Sequence, residues 1–357
     1  MAPHTPEWRR ARRGELSSTP RSSLQGPQHQ GFLFRLFQKK AGAAVPSANR
    51  ITLLRDADGN GVAELRTPFI TGLRSPFGMA LVGDTFYVAN ADSLVAFPYE
   101  AGAISIGSSP RLITRLPAQR NHHWTKSLVA GRDGRLYVGV GSNSNVAERG
   151  MDEERERAAI WEIDPQSGSH VIFGSGLRNP VGLAFLPGTS DLYAVVNERD
   201  ELGSDLVPDY LTRVQRGAFY GWPWSYYGQH LDTRPKPPNP AMVARAILPD
   251  YALGPHVAAL GLTFSSEQRL GPHYASGVFI GEHGSWNRRP FSGYRVVFVP
   301  FVRGRPTGQP VDVLTGFVNQ QGQARGRPVG VQIARDGSLL VADDVGNTIW
   351  RVSALAR

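Results

Sequence analysis

The chain is predicted to be all-β and to fold as a β-propeller, and three observations carry that expectation. First, one phrase recurs: a small apolar strand, a polar turn, a second apolar strand, then a polar cluster. It reads GMALVGDTFYVANAD from Gly78, SLVAGRDGRLYVGVGSN from Ser127, GLAFLPGTSDLYAVVNERD from Gly182, GLTF followed by GVFIGEHGS from Gly261, and GVQIARDGSLLVADDVGN from Gly330. Copies spaced by roughly fifty to eighty residues mean one sheet unit repeated. Second, Gly and Pro punctuate short runs rich in β-branched and aromatic residues, and helical periodicity is nearly absent. Third, the spacing suits four-stranded antiparallel units set around an axis, whereas solenoids of short repeats need tighter spacing. In such a ring the innermost strands line a central channel. The polar cluster after each second strand then falls on one rim.

In chain order, residues 1–43 read as a basic N-terminal segment rich in Arg, Ser, Pro and Gln, expected to be disordered. Its apolar cluster Gly31-Phe32-Leu33-Phe34 ends at Arg35, too short for the apolar region of a secretory signal. Residues 44–357 read as the propeller domain. The runs ITLLR and AELRT flank Asp56-Ala57-Asp58-Gly59-Asn60-Gly61, which matches half of a calcium loop but has Thr67 where the loop needs Glu. A polar hairpin turn is the favoured reading. FYVAN, LYVGVG, LYAVV, GVFIG and LLVAD are the inner strands, joined by Gly-Asp, Asp-Gly or Ser-Asp turns. AIWEID from Ala159, YRVVFVPF from Tyr294 and TIWRV from Thr348 are outer strands. Met151 to Arg157 suggests a short helical turn, and Asp232 to Pro240 a Pro-rich insertion, both on one rim.

Composition excludes several classes. The net charge is +9, but residues 1–50 hold nine Lys and Arg against two Glu, so the body is nearly neutral. A nucleic-acid binder is expected to carry its basic stripe on the folded domain, so that function is set aside. There is no cysteine, hence no disulfide framework and no thiolate zinc site. No run of about eighteen apolar residues exists, so no membrane span is expected.

The polar clusters carry the candidate chemistry. Asn121-His122-His123-Trp124-Thr125-Lys126 precedes an inner strand, and His123 at a channel mouth suits a general base because imidazole titrates near neutrality. Lys126 is one of only four lysines beside thirty-five arginines. Arg178-Asn179 offers a planar fork for a carboxylate and an amide that both donates and accepts. The run Glu198-Arg199-Asp200 can hold a hard cation through carboxylate and backbone oxygens, or can be a solvated turn with local ion pairs. Trp286 and Arg288 in EHGSWNRRP, with Arg327 in GRPVG, add an indole face and further cations for an anionic ligand.

At these residues a family becomes recognisable. LRNPVGLAF, NERDELGSDLVPDYL, YGWPWSYYG from Tyr220, EHGSWNRRP and VADDVGNTIWRV together resemble the sorbosone dehydrogenase family, relatives of soluble dehydrogenases of glucose that depend on pyrroloquinoline quinone (PQQ). The similarity runs from about Ala44 to Val352. It implies a six-bladed propeller holding PQQ and calcium (Ca2+) over the channel, an external electron acceptor, and a periplasmic or extracellular setting. In such enzymes a His takes the proton of a substrate hydroxyl while hydride passes from the same carbon to the quinone. His123 matches that base, Arg178 and Asn179 match the cofactor site, and Arg327 aligns with a basic residue near a cofactor carboxylate. The substrate expected is a sugar or sugar aldehyde. Tyr226 or Trp286 could stack on it or on the cofactor.

The chain also departs from the pattern. Glu198-Arg199-Asp200 stands where soluble glucose dehydrogenases use Gly-Pro carbonyls on calcium, and Val329 replaces a companion arginine. Only five phrases precede the expected count of six blades, so the first blade is expected to lack its inner strands. A calcium-dependent lactonase-like hydrolase and a non-catalytic carbohydrate- or protein-binding propeller are the alternative functions.

Overall fold

The computed structural model describes residues 46–354, so the basic N-terminal segment 1–43 and the expectations placed on it lie outside the described residues. The chain opens with a hairpin, β1 (Ile51–Arg55) and β2 (Leu65–Ile70). Its turn is the polar loop read from the sequence. Asp56 accepts from Gly59 N (2.7 Å) and Gly61 N (2.8 Å), and Glu64 accepts from Ala57 N (2.8 Å), so these carboxylates already cap the loop's own amides.

Five blades follow. The first is β3 (Gly78–Val82), β4 (Thr85–Ala89), β5 (Ser93–Pro98) and β6 (Arg111–Arg115). The second is β7 (Leu128–Ala130), β8 (Leu136–Val140), β9 (Ala159–Ile163) and β10 (His170–Ser175). The third begins with β11 (Asn179–Phe185), β12 (Leu192–Asn197) and β13 (Pro208–Val214). Next come β14 (Ala218–Phe219), which joins the second blade in parallel beside β10, and the small hairpin β15 (Ser225–Tyr226) and β16 (His230–Leu231). Helix α1 (Pro240–Arg245) starts with Pro240 in its first turn and the Asn239 side chain accepting from Met242 N (3.2 Å). The third blade then closes with β17 (Tyr251–Pro255). The fourth is β18 (Ala259–Phe264), β19 (Gly277–Glu282) and β20 (Arg295–Val302), edged by β21 (Arg305–Pro306) and β22 (Val311–Leu314). The fifth has three strands, β23 (Pro328–Ile333), β24 (Leu339–Asp343) and β25 (Thr348–Val352). Each recurring phrase is the inner hairpin of one blade. Met151–Glu154 forms a 3-10 turn within the stretch Met151 to Arg157 where a short helical turn was expected.

The core lies between blades, which is why central strands are apolar on both faces. On β12, Leu192, Ala194 and Val196 pack toward the second blade, while Tyr193 and Val195 pack toward the fourth. The inner strands approach closely at the hub. A Cβ on Gly78 would strike Leu128, one on Gly182 would meet Leu262, and one on Gly261 would strike the Val329 carbonyl, so glycine opens the phrase for steric reasons. Ser127, the exception, donates to the Val181 carbonyl of the next blade.

The expected count of six blades is corrected to five among the described residues. The β1–β2 hairpin covers only the outer part of the first blade, packing Ile51 and Leu53 with Phe86, Val88, Val95 and Phe97. It leaves Met79 (48% exposed) and Leu81 (50%) on innermost β3 uncovered. At the other end of the ring, a Cβ on Gly330 would meet nothing nearer than 3.9 Å among the described residues.

Candidate active site

At the channel mouth lies a half-open cleft of about 130 Å³. Among the residues predicted for the site, it brings together His123, Arg178, Asn179, Glu198, Asp200 and Trp286. Asn197, Asp209, His256 and Asn287 join them.

His123 comes from the loop before β7. Its Nδ1 lies 2.9 Å from the Ser142 carbonyl and 3.0 Å from Ser142 Oγ, whose own proton goes to Ser144 O (2.7 Å). A carbonyl only accepts, so Nδ1 carries the proton and Nε2 is left with a bare lone pair. Burial, with the charge of Arg178 added, holds the imidazole well below its usual value. His123 is therefore a neutral, tautomerically fixed base.

Arg178, just before β11, is 2% exposed and committed to the protein. Nε donates to Asn145 O (3.2 Å), Nη1 to Glu198 O (2.6 Å), and Nη2 to Asn145 Oδ1 (3.0 Å) and Asp200 Oδ2 (3.2 Å). It ties the second blade's loop to the turn after β12. That turn alternates in direction, as extended backbone does. Glu198 and Asp200 reach the cleft, whereas Arg199 points into the protein and pairs with Asp232 at 2.7 Å, both side chains buried.

Burial raises the carboxyls of Glu198 and Asp209 to about 7. Asp209 on β13 accepts from Glu198 N (2.8 Å) and Ala258 N (2.7 Å), holding the two turns together. Burial would raise Asp200 as well, but the hydrogen bond from His256 and the charge of Arg178 bring it below its ordinary value. His256 donates from Nε2 to Gly203 O (3.0 Å) and its Nδ1 stands 3.6 Å from Asp200. Those partners outweigh its burial and raise its basicity. The cleft thus sets three carboxyl groups beside Arg178 and the His256 imidazole.

Five predicted residues do not line it, among them Tyr226 on β15, which stacks on the His230 ring. Lys126 has no solvent contact, donates to Asn121 Oδ1 (3.1 Å) and Trp124 O (3.2 Å), and is lowered to about 7 by burial. Arg199 is turned away as described. Arg288 donates to Ser204 O (3.0 Å) and Asp205 (3.0 Å) on the rim. Arg327 donates to the carbonyls of His283 and Gly284 and lies over the Tyr294 ring. The convergence of several arginines expected from the sequence is reduced to Arg178 at the cleft wall. Trp286, 40% exposed, presents its indole there.

His256 and Asp209 were missed by the sequence reading. His256 stands alone in an apolar stretch, and its left-handed backbone (φ 57°) has no local signature. Asn197 and Asn287 sit inside clusters that were noted, beside residues with louder chemistry.

The architecture matches solved propellers. A carbohydrate-active enzyme of family AA12 from Trichoderma reesei superposes with TM-score 0.73 at 20% identity, covering 85% of this chain and 87% of that one. The PQQ domain of pyranose dehydrogenase from Coprinopsis cinerea, in its holo form, gives 0.69 at 22% identity, with 83% and 86% covered. In sequence, the curated PQQ-dependent pyranose dehydrogenase of Coprinopsis cinerea is 23% identical over 335 residues, 77% of this chain and 45% of that protein. An uncharacterized protein of Borreliella burgdorferi is 30% identical over 233 residues, 63% of this chain and 58% of its own length. The chain thus spans about half the length of the curated relatives it matches. The sequence model of one family, described as TrAA12-like, matches residues 48–210 and 240–354, skipping the stretch that holds β15, β16 and the Pro-rich insertion. Those two segments carry all five inner hairpins and every cleft residue named above, and on that match the chain belongs to the TrAA12-like family.

Proposed function

We propose that the cleft is the active site of a PQQ-dependent oxidoreductase acting on a sugar or sugar aldehyde, of the aldose or sorbosone type, with an external electron acceptor. The observation that carries this reading is His123, a half-buried base at the cleft whose tautomer is fixed by Ser142 and whose Nε2 makes no hydrogen bond among the described residues. The names of the relatives support the substrate class, since one is a PQQ-dependent pyranose dehydrogenase and another a carbohydrate-active enzyme. A periplasmic or extracellular setting belongs to this reading, on the family resemblance.

The residues present fit such a cofactor. Trp286 offers an indole face for a planar ring system, and the Arg178 guanidinium in the cleft wall adds a positive charge toward the cofactor's carboxylates. When bound, PQQ supplies a two-electron acceptor for hydride, and calcium supplies Lewis-acid polarisation. His123 Nε2 takes the proton of the substrate hydroxyl, and Ser142 keeps the ring aimed while it does so. Arg178 is close enough to disfavour a lasting imidazolium at His123, so the proton is passed on readily. Arg178 also fixes Asp200 and the turn at Glu198, keeping the opposite wall in place.

The test is reconstitution of the full chain with PQQ and Ca2+, followed by dye-coupled oxidation of aldoses and sugar aldehydes. Saturable PQQ binding is expected, with turnover lowered by about 10²–10⁴-fold in His123→Ala while PQQ still binds. A folded protein that does not bind PQQ, or a His123→Ala variant as active as the parent, overturns the proposal. Hydrolysis of a lactone with Ca2+ alone would move the protein to the lactonase-like reading.

A further inference from the structure

The charged stretch Met151 to Arg157 buries two of its charges, Glu154 (4% exposed) and Arg157 (8%), and neither lines the cleft. A buried carboxylate is costly unless hydrogen bonds receive it, and Glu154 takes both of its own from the loop that follows β8. Oε2 accepts from Asn143 N (2.6 Å) and Oε1 from Ser144 Oγ, which itself accepts from Ala147 N (3.0 Å). Asn143 gives Nδ2 to the Glu153 carboxylate (3.1 Å), so its Oδ1 is the atom that faces His122 N (3.3 Å). Arg157 holds the other loop: Nη2 donates to Arg120 O (2.7 Å) and Nη1 to Asn121 Oδ1 (3.1 Å). One short segment thus grips both the loop that carries His123 and the loop that carries its partner Ser142. Ala147, Glu156 and Ala158 hold left-handed backbone here (φ 59°, 58° and 50°), a conformation that persists only where the surroundings impose it.

The grip bears on the proton of His123. Its Nδ1 faces two atoms of Ser142 that ask for different things. The carbonyl, at 2.9 Å, can only accept and requires the proton on Nδ1. The hydroxyl, at 3.0 Å, can accept or donate, and a hydroxyl that donated to Nδ1 would leave the imidazole proton on Nε2. An imidazole in that form has no lone pair at Nε2 and is no base there. The direction of the Ser142 hydroxyl therefore decides, and its proton is committed to Ser144 O at 2.7 Å. Glu154 holds Ser144 by its hydroxyl and the preceding residue by its amide, which fixes the carbonyl that takes this proton. We infer that Glu154 is a positioning residue for the base: acting through Ser144 and Ser142, it keeps the His123 proton on Nδ1 and the lone pair on Nε2. The inference rests on His123 being the base of the reaction proposed above.

The experiment reads the tautomer directly, in the ligand-free full chain labelled with 15N-histidine. The chain has nine histidines, so the His123 signals are assigned by their loss in His123→Ala. The parent is expected to show His123 as the Nδ1–H form. In Glu154→Ala the Nε2–H form is expected to rise to at least about a fifth of the population, as the freed Ser142 hydroxyl turns to Nδ1. Ser144→Ala removes the same link at its other end and carries the test if circular dichroism shows Glu154→Ala unfolded. With PQQ and substrate, the folded variant is expected to lose about tenfold or more in kcat while KM and PQQ binding stay within about twofold, as a displaced base does. A parent already in the Nε2–H form, or a folded variant that keeps the parent's tautomer, overturns the inference. The two readings separate cleanly. A tautomer shift in the variants of a parent that binds no PQQ sinks the oxidoreductase reading alone, and an unshifted tautomer in the variants of an active parent sinks this inference alone.

Discussion

Glu198 is held by burial to about 7, well above its ordinary value, and that has a consequence for stability. A carboxyl that binds its proton more tightly folded than unfolded contributes stability that is fully present below its unfolded value and is lost as pH rises through about 7. Asp209 acts in the same direction. His123, held below the usual imidazole value, acts oppositely: its contribution is present above about 6.5 and falls as pH drops below that. The ligand-free protein is therefore expected to lose stability between pH 6 and pH 8, and Glu198→Gln to recover part of that loss at pH 8 but little at pH 6. Thermal melts of both proteins at the two pH values check this. An equal difference at both would show that the buried carboxyl does not titrate in this window. Much of this chemistry was legible residue by residue, because His123, Arg178, Asn179, Glu198, Asp200 and Trp286 all stand in polar clusters after or before apolar strands. His256 and Asp209 were not, since their place in the cleft depends on how the third blade meets the fourth. No local pattern encodes that register.

The turn 197–201 and the stretch 211–239 behave as one element pair. The matched family model skips 211–239, yet this stretch is fastened to the cleft's own turn by Arg199–Asp232 (2.7 Å, buried) and Arg234–Glu201 (2.6 Å, exposed). Trp222 Nε1 adds a hydrogen bond to Asn145 O (2.9 Å), on the loop that Arg178 also grips. Within Glu198-Arg199-Asp200 the period of two sends the middle side chain away from the cleft, so only the flanking carboxyls face it. The same period predicts what the pair is for. Removing one partner of a buried ion pair strands a charge and costs about 3–5 kcal/mol, whereas replacing both with apolar groups is close to neutral. Asp232→Asn and Arg199→Met are each expected to destabilise by that order, and Arg199→Met with Asp232→Leu to recover most of it, as measured by urea unfolding. The exposed Arg234–Glu201 pair is expected to contribute under about 1 kcal/mol in the same assay. A double variant as unstable as the sum of the singles would mean that the guanidinium does more than neutralise Asp232.

At the scale of the whole ring, the glycine that opens four of the five phrases reports whether a neighbouring blade is present. Gly78, Gly182 and Gly261 each leave room for the inner strand of the next blade, and the repeat carries the same residue forward to Gly330. There the structure differs, because a Cβ on Gly330 would have 3.9 Å of clearance among the described residues. Among the described residues, Met79 and Leu81 on the first blade are likewise without an inner-strand neighbour on that face. Gly261→Ala forces a Cβ against the Val329 carbonyl and is expected to cost about 1–3 kcal/mol or more, as overpacking does. Gly330→Ala meets no such wall and removes backbone freedom from the unfolded chain, so it is expected to be neutral or stabilising by up to about 1 kcal/mol. Denaturant unfolding of the two variants side by side makes the comparison, with Gly182→Ala as a second crowded position. If Gly330→Ala destabilises as much as Gly261→Ala, the inner strand of the fifth blade is covered in solution and the ring is closed at that point. If it does not, the fifth blade ends the packed array, and the apolar side chains of β3 face solvent as the first blade's permanent edge.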